Sequence, residues 1–291
     1  MSLFGKLKDK MIHWLSSESP QTEMPLCDFD RLIYEIRPCD VLLVEGRSRV
    51  SEVIKVITQS SWSHAALYVG RLHDIENPIL RERVREHYNG PLDEQLIIES
   101  LLGRGTVVNP LSRYRDFHLR ICRPNRISRR DAQHVIGFAV GRLGTEYGIR
   151  HNLDLARFMF PYSILPRKAR SSLFAHHVGT PTKEICSSML AEAFSSVNFP
   201  ILPIIRSDQE ERLKFYHRNP RLYTPRDFDY SPYFDIIKYP VFEMADTPAY
   251  RNLPWDEEGI ALNPGDVVKP KEKKDEKSAV APTPVPPVRA R

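Results

Sequence analysis

Ser60-Ser-Trp-Ser-His-Ala-Ala-Leu-Tyr-Val-Gly70 is the stretch whose reading decides the fold. Small polar residues and Trp62 lead to His64, an apolar run follows from Ala65 to Val69, and Gly70 closes it. An apolar run bounded by turn residues predicts a short, buried strand. A histidine at its first position is held by a rigid element yet sits at a strand end, where a cleft can reach it. That placement suits a general base. It equally suits a half-buried histidine bonded to a backbone group, and the stretch by itself leaves both readings open.

Upstream, Ile36-Arg-Pro-Cys-Asp-Val-Leu-Leu-Val-Glu45 predicts a turn and then a strand over Val41 to Val44. Val50, Val53, Ile54 and Ile57 recur at helical spacing, so a short amphipathic helix from Arg49 to Gln59 delivers the chain to Trp62 and His64. Downstream, Leu72 to Gln95 is charged and broken by Asn77-Pro78 and Asn89-Gly90-Pro91, which predicts a solvated insertion with a helical piece at Ile79 to His87. Leu96-Ile-Ile-Glu-Ser100 resumes the core as a strand. Its Glu99 is a carboxylate in apolar company, which is costly unless paired, and a salt bridge to an arginine would satisfy it.

Gly103-Arg-Gly105 turns the chain into Thr106 to Val108, and Phe117 to Cys122 alternates apolar and polar residues like an antiparallel strand with one wet face. Ser128 with Asp131 predicts a helix start, with apolar spacing through Leu143. Phe158 to Leu165 is apolar and aromatic and reads as core, as a pocket wall or as a membrane-dipping loop. In Thr180-Pro-Thr-Lys-Glu-Ile-Cys-Ser-Ser-Met-Leu-Ala-Glu-Ala-Phe194, threonine caps and an apolar stripe place Cys186 in the first turn of a helix.

With 291 residues, 41% of them hydrophobic, the chain can build one large core. The expected organisation is a basic amphipathic helix and linker over 1–24, a catalytic domain over 25–262 with the insertion at 72–95, and a disordered Lys/Glu/Pro-rich tail over 263–291. The net charge of +5 arises from 42 basic and 37 acidic residues intermixed, and no nucleic-acid signature stands out, so that class of partner is set aside. Cys27, Cys39, Cys122 and Cys186 show no C-x-x-C pair, which argues against a zinc site or a disulfide scaffold; no metal or cofactor is expected. The N-terminal stretch lacks the apolar core of a secretory signal, and no segment is long and apolar enough to span a bilayer. Leu3, Phe4, Leu7, Met11 and Trp14 share one side of a lysine-bearing helix. The expected location is the cytoplasm, with peripheral membrane contact through those residues or with the helix packed on its own domain.

A cysteine at a helix N-terminus has its thiolate favoured by unpaired N–H groups and the helix dipole, and the same N–H groups suit an oxyanion. A strand-start histidine can take the thiol proton, and a neighbouring carboxylate can orient the imidazole. Cys186, His64 and Glu99 meet these demands by element type, whereas Cys27, Cys39 and Cys122 open no helix and read as core. Taken alone, Cys186 also reads as a small buried hydrophobe.

The chain resembles the permuted papain-like hydrolases of the NlpC/P60 superfamily, the YiiX/YebB-like group in particular. Four segments carry the likeness: Pro38 to Val44, Thr58 to Val69, Ile97-Ile-Glu-Ser100 and Ile185-Cys-Ser-Ser188, with Thr224 to Phe234 near the end of the domain. The order His, Glu, Cys is that of the circularly permuted members. The resemblance implies an α+β fold, a small antiparallel sheet packed against the helix that bears the cysteine. It further implies Cys186 as nucleophile, His64 as base, Glu99 as the residue orienting it, and Tyr147 with Trp62 at the substrate. Two departures stand out: Cys39 occupies the place of a usual glycine, and Gly148 follows Tyr147 in place of a common aspartate. The activity implied is cysteine-dependent amide, peptide or ester hydrolysis on a small peptide, amide or acyl-lipid substrate. A lipid thiol acyltransferase is the nearest alternative, and a noncatalytic membrane-surface or interaction module is the alternative from another class.

Overall fold

The computed structural model describes residues 10, 12–20, 23–145, 186–207, 212–242, 253, 255, 260–263 and 266–268. Leu3, Phe4, Leu7, Met11, Tyr147 and the whole of 158–165 lie outside the described residues. Two compact units divide the chain, Met1–Glu243 and Met244–Arg291.

The first unit is built on a six-stranded sheet of order β4-β3-β2-β1-β5-β8. Its strands are β1 Val41–Glu45, β2 His64–Gly70, β3 Leu96–Leu101, β4 Gly105–Pro110, β5 His118–Pro124 and β8 Phe234–Ile237. All neighbouring pairs run antiparallel. The apolar runs of β1 and β2 are continuous, not alternating, because both faces of the sheet are covered. Val41, Leu43, Ala65, Leu67 and Ile98 pack one face against helices Arg129–Gly141 and Ser187–Ser195. Leu42, Val44, Ala66, Tyr68 and Ile97 pack the other against Phe29 and Leu32 of helix Phe29–Glu35 and against Leu111 and Tyr114 of a 3-10 turn.

Local sequence explains the ends of these elements. Ser48 caps helix Arg49–Thr58 by accepting from the Ser51 amide, and Gln59 ends it in the left-handed region. Ser128 caps helix Arg129–Gly141 through the Asp131 amide, as its sequence predicts. Cys39 has φ of +78°, the conformation for which glycine is the ordinary choice, so its side chain is carried at a strained turn. The change at this position therefore does bear on the turn before β1.

Three expectations change. The stretch 72–95 is not a solvated loop throughout: Leu72, Ile75 and Val84 are buried in the main core, the last on helix Pro78–His87. Charged residues dominate that helix, so its single buried valine is easily overlooked. The N-terminal segment 12–16 is helical and packs on its own domain through Leu15, which is fully buried. The Arg49 guanidinium lies 4.7 Å over the half-exposed Trp14 ring. Finally, the second unit holds a two-stranded ribbon, β9 Ile260–Asn263 with β10 Asp266–Val268, so regular pairing begins inside the tail expected to be disordered.

Of the remaining strands, β6 Ile204–Ser207 pairs only with β7 Leu213–Tyr216. No helix among the described residues is long and apolar enough to cross a membrane.

Candidate active site

Glu99 is 0% exposed, and burial of a carboxylate demands partners. It has three. His64 Nε2 lies 2.5 Å from Oε2, the Tyr114 hydroxyl donates to the same oxygen at 2.6 Å, and Asn109 Nδ2 donates to Oε1 at 2.7 Å. The arginine salt bridge that would have made Glu99 merely structural is thus replaced by a histidine, a phenol and an amide.

Strand register brings two of these partners. Glu99 stands opposite Val107, so Asn109 is the diagonal neighbour on the same face. Tyr114 arrives from the 3-10 turn that immediately follows β4. Sequence reading passed over both: Asn109-Pro110 looks like a turn signal, and the tyrosine falls in an arginine-bearing loop. A buried glutamate in need of donors was the available clue, but which donors depends on the β3–β4 register.

With Nε2 committed to Glu99, the other ring nitrogen of His64 is left for Cys186, to whose sulfur the histidine is hydrogen-bonded. Cys186 occupies the N-cap position of helix Ser187–Ser195 and is buried. Backbone amides of Ala65 and Ser187 also bond the sulfur. Cys186 stands just ahead of the expected first turn, at the N-cap, the expected threonine caps lie outside the described residues, and the structure brings Cys186, His64 and Glu99 together in one hydrogen-bonded chain.

Electrostatics follow from this geometry. Burial alone would raise the Cys186 thiol, but His64 and the two amides overcome it and hold the thiol below its ordinary range. Burial alone would lower His64; Cys186 and Glu99 outweigh that and push it up to about 10. Glu99 is raised by burial and lowered more by His64, Tyr114 and Asn109, with a net downward shift. Burial and the adjacent Glu99 charge push Tyr114 well up, which keeps its hydroxyl protonated as a donor. The favoured state is thiolate, imidazolium and carboxylate in sequence.

A cavity of about 210 Å3 opens beside Cys186 and His64. Val44, Val50, Ile54, Leu101, Leu102 and Phe117 give it apolar wall, and Ser48, Ser51, Ser63 and Ser100 add hydroxyls. Gly46 lies in the wall so close to the Ser51 and Ser63 side chains that a Cβ there would collide with both. Trp62 stands elsewhere. It is 4% exposed, stacked at 5.4 Å on His118, with Arg120 4.7 Å above its ring, and does not line this cavity. Among the described residues Trp62 packs in the core and the expected contact with substrate is not seen in the lining. Tyr147 lies outside the described residues. Among the described residues no group of three or more acidic, histidine or cysteine side chains is arranged to hold a metal ion.

Residues 35–160 match the family model described as permuted papain-like amidase enzyme, YaeF/YiiX, C92 family. That span includes His64, Glu99, Asn109 and Tyr114 and ends before Cys186. It supports a cysteine-dependent hydrolase in general terms. Among solved structures the chain is similar to one titled metalloprotein yiiX from Escherichia coli O157:H7, at 13% identity and a TM-score of 0.42, covering 70% of this chain and 98% of that one. No curated protein matches the chain.

Proposed function

We propose, from the match of residues 35–160 to the permuted papain-like amidase model, that the chain hydrolyses an amide or ester through a Cys186–His64–Glu99 triad and an acyl-enzyme. One observation carries the reading: a buried carboxylate, an imidazole and a helix-capping cysteine joined in series by hydrogen bonds beside an open cavity. A carboxylate serving the fold alone has no need of such a sequel.

In the proposed reaction the Cys186 thiolate attacks the carbonyl carbon, and the carbonyl π electrons move onto oxygen. Amides at the start of helix Ser187–Ser195, beside the sulfur, are the proposed donors to that oxyanion. As the tetrahedral intermediate collapses, His64 gives its proton to the departing amine or alkoxide. Water then attacks the thioester, His64 takes its proton, and the acid leaves as the thiolate is restored. Glu99 is a positioning residue: it fixes which imidazole nitrogen faces sulfur and supports the positive ring. Asn109 and Tyr114 hold Glu99 ionised.

The lipid-linked variant of this reading leans on 158–165 and on the N-terminal residues outside the described set, so the proposal is confined to amides and esters. Mass spectrometry after exposure to an acyl-phosphonate or peptidyl fluoromethyl ketone tests it. Stoichiometric label on Cys186 that vanishes in His64→Ala is expected; absence of label between about pH 5 and 9 in folded protein overturns it.

A further inference from the structure

The lining of the cavity carries charge as well as chemistry. Arg47, Arg104 and Arg113 face it, against the single lining carboxylate of Glu18 among the described residues. Glu18 is matched with Arg47 at 3.9 Å, and Arg47 also donates to the Asp116 carbonyl at 2.8 Å while lying 4.2 Å over the Phe117 ring. Even so, the buried Nε of Arg47 has no hydrogen-bond partner among the described residues. Arg104 sits on the exposed turn between β3 and β4, where Gly103 adopts φ of +74° and its missing Cβ makes room for Ile12 at 2.8 Å. Arg113 is bonded to the Tyr114 side chain and so is tied to the group that holds Glu99.

The triad in its thiolate, imidazolium and carboxylate form carries one negative charge and Glu18 adds another, so the three guanidinium groups still leave the cavity a positive excess. Guanidinium is the group that recognises carboxylates and phosphates by paired N–H bonds. Cys186, Arg104 and Arg113 line one cavity, so a single ligand can meet the sulfur and the guanidinium groups across its apolar wall.

We propose that this site selects an acyl substrate bearing an oxyanion, a carboxylate or a phosphate, a few bonds from the scissile carbonyl, with Arg104 and Arg113 as its recognition residues. The inference rests on the Cys186 thiolate reading and adds a substrate class to it. Neither the family description nor the site's reactive residues demand an anionic substrate.

Alkylation of the full-length protein separates the two claims. Second-order rates of Cys186 modification by iodoacetate and by iodoacetamide are measured by mass spectrometry, with glutathione as reference. The readout is the ratio of the two rates within one protein, so a general change in thiol reactivity cancels. The expected iodoacetate to iodoacetamide ratio exceeds that of glutathione by about tenfold, the equivalent of about 1.4 kcal/mol. It falls at least about threefold in Arg104→Gln and further in the Arg104→Gln/Arg113→Gln variant, and it shrinks on adding 0.5 M salt, at which surface charges are screened within about 4 Å. Rapid iodoacetamide labelling with a ratio equal to that of glutathione, or a ratio the arginine variants leave unchanged, overturns the anion inference and leaves the thiolate intact. Failure of both reagents overturns the thiolate reading and this one with it. Protection by butyrate against butyl phosphate identifies the preferred oxyanion, protection by either supports the proposal, and protection by neither overturns it.

Discussion

Two carboxylates are buried in this sheet, and they are satisfied in opposite ways. Asp40, 1% exposed at the start of β1, receives the Arg123 guanidinium on both oxygens at 2.7 and 3.0 Å and the Arg37 amide at 2.8 Å. Among the described residues Glu99 has no arginine or lysine partner: two neutral donors and a histidine surround it. Burial leaves Asp40 raised in spite of Arg123, whereas His64, Tyr114 and Asn109 bring Glu99 down in spite of burial. An arginine locks its carboxylate into a single state. A histidine partner can change charge, so Glu99 can influence a reaction where Asp40 can only hold two strands and a helix end together.

That contrast breaks most visibly at the thiol. Cys186→Ala or His64→Ala should each cut turnover at least about 10^4-fold, and the double variant should lose little more, since the pair acts as a unit. Independent, multiplying losses in steady-state kinetics would deny that the two work together. Next in size, Glu99→Gln should lower kcat by about 10^2 to 10^4, while Asp40→Asn should leave the pH profile in place and lower stability by about 3 kcal/mol in denaturant unfolding. If the aspartate variant moves the profile and the glutamate variant does not, the roles assigned here are reversed.

The profile has a definite shape. A lowered thiol and a raised imidazole mean the ion pair exists between two apparent pKa values that belong to the pair. As pH falls through the lower one, sulfur is protonated, and both alkylation and turnover fall. As pH rises through the upper one, the imidazolium loses the proton it must give the leaving group, so turnover falls while alkylation persists. In Glu99→Gln the imidazolium loses its anion, and the upper limb should move to lower pH.

Smaller again is Tyr114→Phe, which removes one donor from an ionised carboxylate and should cost about 1–3 kcal/mol of stability and about tenfold in turnover. The smallest effect should come from Trp62→Phe, with melting lowered by a few degrees and KM within about twofold, because a small change in a packed ring leaves a cavity it does not line untouched. A large KM effect would return Trp62 to the substrate.

The reactive residues were legible because each follows from local sequence. His64 precedes an apolar strand, Glu99 interrupts another, and Cys186 stands at a helix start. Their helpers were not, because Asn109 reaches Glu99 only through a diagonal register and Tyr114 only through a 3-10 turn. Val84 escaped for a related reason: one buried side chain among arginines and glutamates gives no periodicity to read. The edge strand β8 pairs with β5 from far along the chain, a partnership no local pattern encodes.

The spacing of these partners also sets an order of events during synthesis. Glu99 lies 35 residues after His64, and Asn109 and Tyr114 follow it by 10 and 15. The turn between β3 and β4 closes at low entropic cost, whereas His64 meets Glu99 across the whole 71–95 connection. A chain emerging from its N-terminus therefore contains the histidine, its carboxylate and both donors before Cys186 has been made. Cys186 is the last of the set delivered, so the proposed base is made before the thiol it would activate.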